Sequence, residues 1–217
     1  MQADEIKIDM EMDIKSKALQ FFVKRVFDIL FSAVGMVLLS VVFVILILWI
    51  KLDSKGPAIF KQIRVGKNGK NFTIYKFRTM VVDAEKKHKL NIDPGNLENF
   101  VFQSRNDNRV TKSGAFLRKT SLDEIPQLFN VLLGNMSLVG PRPEIPEVVK
   151  LYPEAYRQRL MVTPGITGLA QVSGRGEIEL GKTVYYDLTY IKKFSLLTDI
   201  KILFKTIFSV FKSEGAF

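Results

Sequence analysis

A chain of 217 residues with 47% hydrophobic content can bury one good core and fits a single domain plus an appendage. Its formal net charge of +10 at pH 7 and pI of about 9.7 call for anionic partners: nucleic acid, acidic lipid headgroups or phosphorylated substrates. With no cysteine, disulfides and thiol nucleophiles are excluded, and with a single histidine, His88 in the charged run Glu85 to Lys89, the usual zinc sites and a Ser-His-Asp triad are essentially unavailable, which leaves carboxylates, Arg, Lys and an oxygen-liganded metal such as magnesium for catalysis.

Residues before about Lys15 are mixed and mostly acidic, and the alternation Ile6, Ile8, Met10, Met12, Ile14 hints at a strand. From Ile29 to Ile50 the chain carries no charge, a run long enough to cross a bilayer core. No small-residue cleavage site follows, so the run is retained rather than removed. Lys24 and Arg25 precede it, and Lys51 and Lys55 follow. Positive charge on both flanks suits a segment that dips into the membrane and returns to the same face; an ordinary spanning helix with Trp49 at the interface is the other reading. Both put the larger, more basic C-terminal part in the cytoplasm.

The β-prone runs Ala58 to Val65 and Asn71 to Phe77 predict a hairpin closed through Asn68-Gly69. The second run ends in Tyr75-Lys76-Phe77-Arg78-Thr79-Met80, so Lys76, Arg78 and Thr79 can be delivered from a strand end to an anionic ligand. A half-exposed strand has the same composition. Val81 to Leu90 reads as a charged helix that includes His88, and Asn91 to Asn108, with Pro94-Gly95, reads as a loop or lid.

The central stretch is LRKTSLDEIPQLFNVLLGNMSLVGPRPE, from Leu117 to Glu144. Ser121 with Glu124 three residues later, ahead of Ile125, Leu128, Phe129, Val131, Leu132 and Leu133, is a capping-box pattern, and Gly134 supplies the stop. On a helix Asp123 and Glu124 point about 100° apart, so one carboxylate can attack or position while the other holds a metal. Arg142 sits between Pro141 and Pro143, on a backbone with little freedom that suits bidentate contact with phosphate oxygens. The plainer alternatives are a carboxylate pair that only complements a helix dipole and a turn with a solvated arginine.

Glu147 to Leu160 reads as helix interrupted at Pro153. Thr163 to Gly176 reads as a loop holding Gly165, Gly168, Gly174 and Gly176, in which Thr167, Gln171 and Arg175 supply donors to a ligand. It matches neither the dinucleotide fingerprint nor the Walker A pattern. The last helix, Leu196 to Lys212, puts Ile200, Leu203, Phe204, Ile207, Phe208 and Phe211 on one face and Lys201, Lys205 and Lys212 largely on the other, a pattern for core packing or for the headgroup plane of a membrane.

Taken together in order, five motifs carry a resemblance: Lys24-Arg25-Val26-Phe27-Asp28, Tyr75 to Met80, Ser121 to Leu128, Gly140-Pro141-Arg142-Pro143-Glu144, and Pro164-Gly165-Ile166-Thr167-Gly168. From about Lys24 to Phe211 the chain resembles the bacterial sugar transferases, monotopic phosphoglycosyl transferases that move a sugar phosphate from a UDP-sugar to polyprenyl (undecaprenyl) phosphate. The resemblance implies that Asp123 is the nucleophile and Glu124 its partner at a magnesium ion. It implies that Arg118 and Arg142 bind phosphate, and that Arg175 or the loop before it holds the nucleotide. The implied fold is α/β and mostly helical with a small β-hairpin. Residues 1–23 form an N-terminal segment, 24–52 a re-entrant or spanning membrane helix, and 53–217 a catalytic domain on the cytoplasmic face of the bacterial inner membrane, with interfacial amphipathic helices. Membrane lipids are implied partners, a homodimer is compatible with this reading, and nucleic acid is not expected. The family's helix usually breaks at Ser-Pro, whereas this chain reads Ser40-Val41 and lacks the proline that makes a kink; Ser32, Gly35 and Ser40 can assist a bend.

Two other classes fit the composition less well. A non-catalytic membrane-anchored scaffold, or lipid-binding module, would use the basic surface alone and leave Asp123 as a cap. A nucleic-acid-binding module has only the charge in its favour, because no helix-turn-helix or aromatic RNA-binding motif is present.

Overall fold

A computed structural model describes residues 11–84, 93–101, 108–174 and 178–212. Helix α1 (Ala18–Leu38) and helix α2 (Ser40–Asp53) meet at Leu39 with a bend of 62°. Proline is not needed for it. Ser40 Oγ donates to the carbonyl of Val37 at 2.7 Å, so a serine back-bond competes with the regular helical ladder where the axis turns. No single helix among the described residues is long and apolar enough to cross a membrane, but the bent pair together is.

The burial of α1 runs opposite to that of a helix in a water-soluble protein. Lys24, Asp28 and Ser32, spaced one turn apart, are buried, while Phe22, Leu30, Phe31 and Val34 are exposed. The two charged residues are paired: Lys24 Nζ lies 2.6 Å from Asp199 Oδ2, the Tyr190 hydroxyl donates to Asp199 Oδ1 at 2.8 Å, and Asp28 Oδ1 accepts from the amide of Leu138, whereas the buried Ser32 hydroxyl finds no partner among the described residues. This polar seam fastens α1 to the rest of the molecule.

Strands β1 (Ile59–Val65) and β2 (Asn71–Phe77) form the predicted antiparallel hairpin, with Ile59 opposite Phe77 and Val65 opposite Asn71. Asn68 (φ 55) and Gly69 (φ 74) provide the left-handed residues of its turn. Helix α3 (Lys112–Thr120), helix α4 (Gln127–Leu132) and strand β3 (Ser137–Val139) follow. Short helices α5 (Pro146–Val149) and α6 (Glu154–Arg157) replace the helix expected from Glu147 to Leu160, divided near Pro153 as its backbone requires. Strand β4 (Gly165–Thr167), helix α7 (Leu169–Gly174), helix α8 (Leu180–Lys192) and helix α9 (Leu196–Lys212) complete the described chain.

The glycine-rich stretch expected to be a loop is a strand and a helix instead. Its β4 pairs in parallel with β3, Ser137 opposite Gly165 and Val139 opposite Thr167. A Cβ on Gly165 would stand 2.1 Å from the amide nitrogen of Gly140, so the close backbone approach there is strand to turn. Residues 11–16 are helical, which corrects the strand suggested by the alternation at Met12 and Ile14. Residues 82–84 form a turn, and the rest of the helix expected from Val81 to Leu90, with His88, lies outside the described residues. Within the expected loop from Asn91 to Asn108, residues Pro94–Asn99 form a 3-10 helix.

The chain is therefore α/β and mostly helical. Its apolar clusters centre on Val148, Leu180 and Val184, on Val139, Ile191 and Ile202, and on Ile50, Phe77 and Leu117. Full burial of side chains of this size contributes about 1.5–3 kcal/mol each. On α9, Ile200, Phe204, Ile207 and Phe208 are exposed, while Asp199 and Ile202 turn inward as buried residues. The apolar stripe read from the sequence is thus not a core face.

Candidate active site

Strand β2 and helix α3 set the frame. The Thr111 hydroxyl accepts from the amide of Gly114 at 3.0 Å and caps α3. Asp53, the last residue of α2, accepts from both the amide and the hydroxyl of Ser113, and these bonds hold its carboxyl below the usual aspartate range. A Cβ at Gly114 would stand 2.0 Å from the carbonyl oxygen of Thr79, so only glycine lets α3 rest on the end of β2. One turn later Arg118 Nε donates to Thr79 Oγ1 at 3.0 Å.

Ser121 ends α3 in the left-handed region (φ 56), and the chain reverses into a 3-10 turn, Leu122–Glu124. The capping box is not formed: Ser121 makes no side-chain cap bond, because its backbone serves as the C-terminal stop of α3 rather than as a start. Leu122 and Ile125 pack against the cluster of Leu46, Ile50, Phe77 and Leu117. Two apolar anchors, one on each side, thus seat the dyad against α2 and leave both carboxylates half-buried at the surface of the domain.

Glu124 Oε1 receives Lys76 Nζ at 2.8 Å and Arg142 Nη1 at 3.0 Å. Burial alone would raise the Glu124 carboxyl, but Lys76 and Arg142 outweigh it and bring it down to about 2. For Asp123 burial dominates. It pushes the carboxyl up to about 6 against the opposing charges of Lys76, Arg142 and Arg118, with Glu124 adding to the rise. Burial also lowers the Lys76 ammonium, and Glu124 offsets part of that fall. Adjacent carboxylates with separated proton affinities divide naturally into a fixed anion and a reactive one.

Asn130 positions Lys76 from behind. It is fully buried; its Oδ1 accepts from the amide of Tyr75 at 3.0 Å and its Nδ2 donates to the carbonyl of Thr73 at 2.7 Å. This side chain on α4 stands in for a neighbouring strand along β2. Sequence reasoning missed it, although an asparagine among Leu128, Phe129 and Val131 is a signal of a buried polar partner.

Asp123, Glu124, Lys76 and Arg142 form one cluster, with the Arg118–Thr79 pair beside it. Arg78 goes elsewhere. It is buried, and its Nη2 donates to the Ser54 carbonyl at 2.7 Å and to the Ser54 hydroxyl at 2.9 Å, because β2 ends at Phe77 and strand alternation no longer aims the next side chain. The Thr167 hydroxyl lies 2.7 Å from that of Thr206 and joins β4 to α9. Gln171, on α7, keeps both polar atoms of its amide buried and without a partner among the described residues. Arg175 lies outside the described residues. A shallow depression beside the dyad is lined by Arg64, Ile74, Lys76, Gln127, Arg142 and Pro143.

The site thus sets Lys76 and Arg142 around two unequal carboxylates, next to a bent helix pair whose exterior is largely apolar. The family model described as bacterial sugar transferase matches residues 19–213, and the chain belongs to that family. The undecaprenyl-phosphate galactose phosphotransferase of Salmonella typhimurium is 45% identical over 201 residues, 90% of this chain and 42% of the relative. The UDP-glucose:undecaprenyl-phosphate glucose-1-phosphate transferase of Klebsiella pneumoniae is 42% identical over 202 residues, 89% of this chain and 41% of the relative. The exopolysaccharide production protein ExoY of Rhizobium meliloti is 39% identical over 198 residues, 89% of this chain and 88% of the relative. The chain therefore spans about two fifths of the length of the first two relatives and nearly all of the third.

Proposed function

We propose that the protein transfers a sugar-1-phosphate from a UDP-sugar to undecaprenyl or a similar polyprenyl phosphate, releasing UMP, as the first membrane step in assembling a surface polysaccharide or glycoconjugate. The observation that carries this reading is the convergence of Lys76 and Arg142 on Glu124 at 2.8 and 3.0 Å beside Asp123, whose carboxyl burial raises to about 6 against the charges of Lys76, Arg142 and Arg118.

Asp123 Oδ attacks the β-phosphorus of the donor. The bond from that phosphorus to the oxygen bridging to the α-phosphate breaks, UMP leaves with that oxygen, and an aspartyl phosphosugar forms. An oxygen of polyprenyl phosphate then attacks the same phosphorus, breaks the acyl phosphate and returns Asp123 as a carboxylate. Proton affinity near 6 leaves Asp123 ionised at neutral pH yet more nucleophilic than an exposed aspartate. Lys76, Arg118 and Arg142 offset the charge of the diphosphate as the anion approaches. Gln171 has unspent hydrogen-bonding capacity for the nucleotide, and Arg175 is assigned to it with Gln171.

The donor chemistry of the dyad fits magnesium, which binds through one or two carboxylates together with substrate phosphates. Lys76 and Arg142 both contact Glu124 at Oε1, so its Oε2 would hold the ion and leave Asp123 to react. Bound there, Mg2+ would neutralise diphosphate charge.

The inverted burial of α1 and the exposed apolar faces of α2 and α9 support insertion into lipid. The bend at Leu39 supports a re-entrant helix that keeps the catalytic domain on the cytoplasmic face, where an acceptor with a long lipid tail is met in two dimensions.

The test is UMP release from a panel of UDP-sugars by purified protein with magnesium and polyprenyl phosphate, beside Asp123→Asn. Magnesium-dependent UMP formation that the variant loses is the expected result. A folded, membrane-inserted sample that forms no UMP from any donor would leave the scaffold reading instead.

A further inference from the structure

Arg142 can act on Glu124 only if its backbone is held, and its two neighbours are prolines, which have no N–H to contribute. The turn is held by its carbonyls. Pro141 O accepts from the amide of Gly165 at 2.9 Å, Arg142 O from Arg159 Nη2 at 3.0 Å, Pro143 O from Arg64 Nη1 at 3.1 Å and Glu144 O from the amide of Val65 at 2.8 Å. Four consecutive carbonyls are engaged, and the one belonging to Arg142 itself is engaged by a second arginine.

Arg159 is 2% exposed. It forms an ion pair with the equally buried Asp187, donates through Nη1 to the Tyr152 hydroxyl at 2.6 Å and lies 3.7 Å from Glu144 Oε1. Burying a guanidinium with its carboxylate costs several kcal/mol of hydration, and an apolar side chain would fill the same volume without that cost. An apolar side chain could not, however, donate in several fixed directions at once. The planar fork of Arg159 ties α8, through Asp187, to the segment carrying Tyr152 and to the carbonyl of Arg142.

We propose that Arg159 is a positioning residue for the transfer reaction: by holding the main-chain carbonyl of Arg142 it sets the guanidinium of Arg142 on Glu124. The inference rests on the phosphoglycosyl transfer reading of the same site. The conformation of Arg142 is therefore assembled from beneath by a residue that touches neither carboxylate of the dyad.

The test is a double-mutant cycle with Arg159→Lys and Arg142→Ala, read in UMP release and, separately, in the NMR signal of the Arg142 guanidinium Nε–H. A lysine keeps the charge and loses the fork. Arg159→Lys is expected to lower kcat by about 100-fold, the cost of an ångström-scale misplacement, and to shift and broaden the Arg142 signal as its contact with Glu124 loosens. In the Arg142→Ala background the same substitution should change kcat by less than about twofold. Losses that multiply in the double variant, or an unchanged Arg142 signal in Arg159→Lys, overturn the proposal. If Arg159→Lys does not fold, Tyr152→Phe goes through the same cycle. It removes one acceptor of Arg159, with an expected loss of about fivefold that vanishes without Arg142. If the wild-type protein turns over no donor, the transferase reading fails, and the Arg142 signal still decides whether Arg159 positions Arg142.

Discussion

Lys76 Nζ stands 2.8 Å from Glu124 Oε1, so the last turn outward of strand β2 and the 3-10 turn carrying the dyad are joined by one ion pair. Lys76→Met keeps the apolar stem and removes the charge. Glu124 then keeps Arg142 as its cation among the described residues, and Asp123 loses the cation that most opposes its protonation. The expected result is a fall in kcat of about 10²–10³, with a lower melting temperature in the same sample.

Protonation of Asp123 should be visible in both rate and stability. With the carboxyl at about 6, UMP formation should fall about tenfold per pH unit below that value. The folded protein keeps a proton there that the unfolded chain releases near the ordinary aspartate value, so stability falls as pH rises through this window. Asp123→Asn should thus be more stable than wild type by about 2 kcal/mol at pH 8, a gain that shrinks at pH 4.5. Glu124 has the opposite sign. Held at about 2, it contributes stability above the ordinary glutamate range that is lost as pH falls towards 2, and Glu124→Gln should abolish that acid limb in urea titrations.

Arg78 belongs to the fold. Its bonds to Ser54 fasten β2 to the end of α2. Arg78→Met should lower stability by about 2–3 kcal/mol, the cost of orphaned buried partners and a lost charged hydrogen bond. KM for the UDP-sugar should stay within about twofold of wild type in the protein that remains folded. A selective rise in KM with no change in melting temperature would return Arg78 to the phosphate site.

Gly114→Ala forces a methyl group into the carbonyl of Thr79. Backbone cannot yield there as a side-chain tip would, so α3 must lift from β2 and part Arg118 from Thr79. A destabilisation of about 2–4 kcal/mol is expected, together with a larger loss of activity than Ala115→Gly, which thins the next position of the same helix.

Because the chain has no cysteine, single cysteines report topology cleanly. Ser16→Cys and Lys55→Cys lie on either side of the bent pair at exposed positions. Both should react with an impermeant maleimide in inside-out membrane vesicles and neither in right-side-out ones. Labelling from opposite sides would mean that the helix pair spans the membrane.

The hairpin, the last helix and the apolar N-terminal run were legible because each depends on neighbours within a few residues: alternation, an Asn-Gly turn, a 3.6-residue stripe. Asp123, Glu124, Lys76 and Arg142, singled out through a recognisable order of motifs, do come together in one cluster. The capping box was misread at Ser121, since the same Ser-x-x-Glu spacing fits a residue that stops one helix and turns into another. Thr163 to Gly176 was misread because glycine is needed equally where backbone meets ligand and where backbone meets backbone, and the partner Gly140 lies far away in sequence.

By itself the sequence determined the chemistry available to this protein: no thiol, one histidine, an excess of cations, two adjacent carboxylates and an apolar segment flanked by lysine and arginine. Only the tertiary structure decided which cations serve the dyad. Lys76 and Arg78 are two residues apart on one strand end, yet one reaches Glu124 and the other Ser54, because a side chain's direction past the end of a strand is set by what packs against it. The same holds for Arg142, whose place depends on carbonyl bonds from Gly165, Arg159 and Arg64. Contacts between residues so distant along the chain follow from the closing of the whole fold, and no local pattern encodes them.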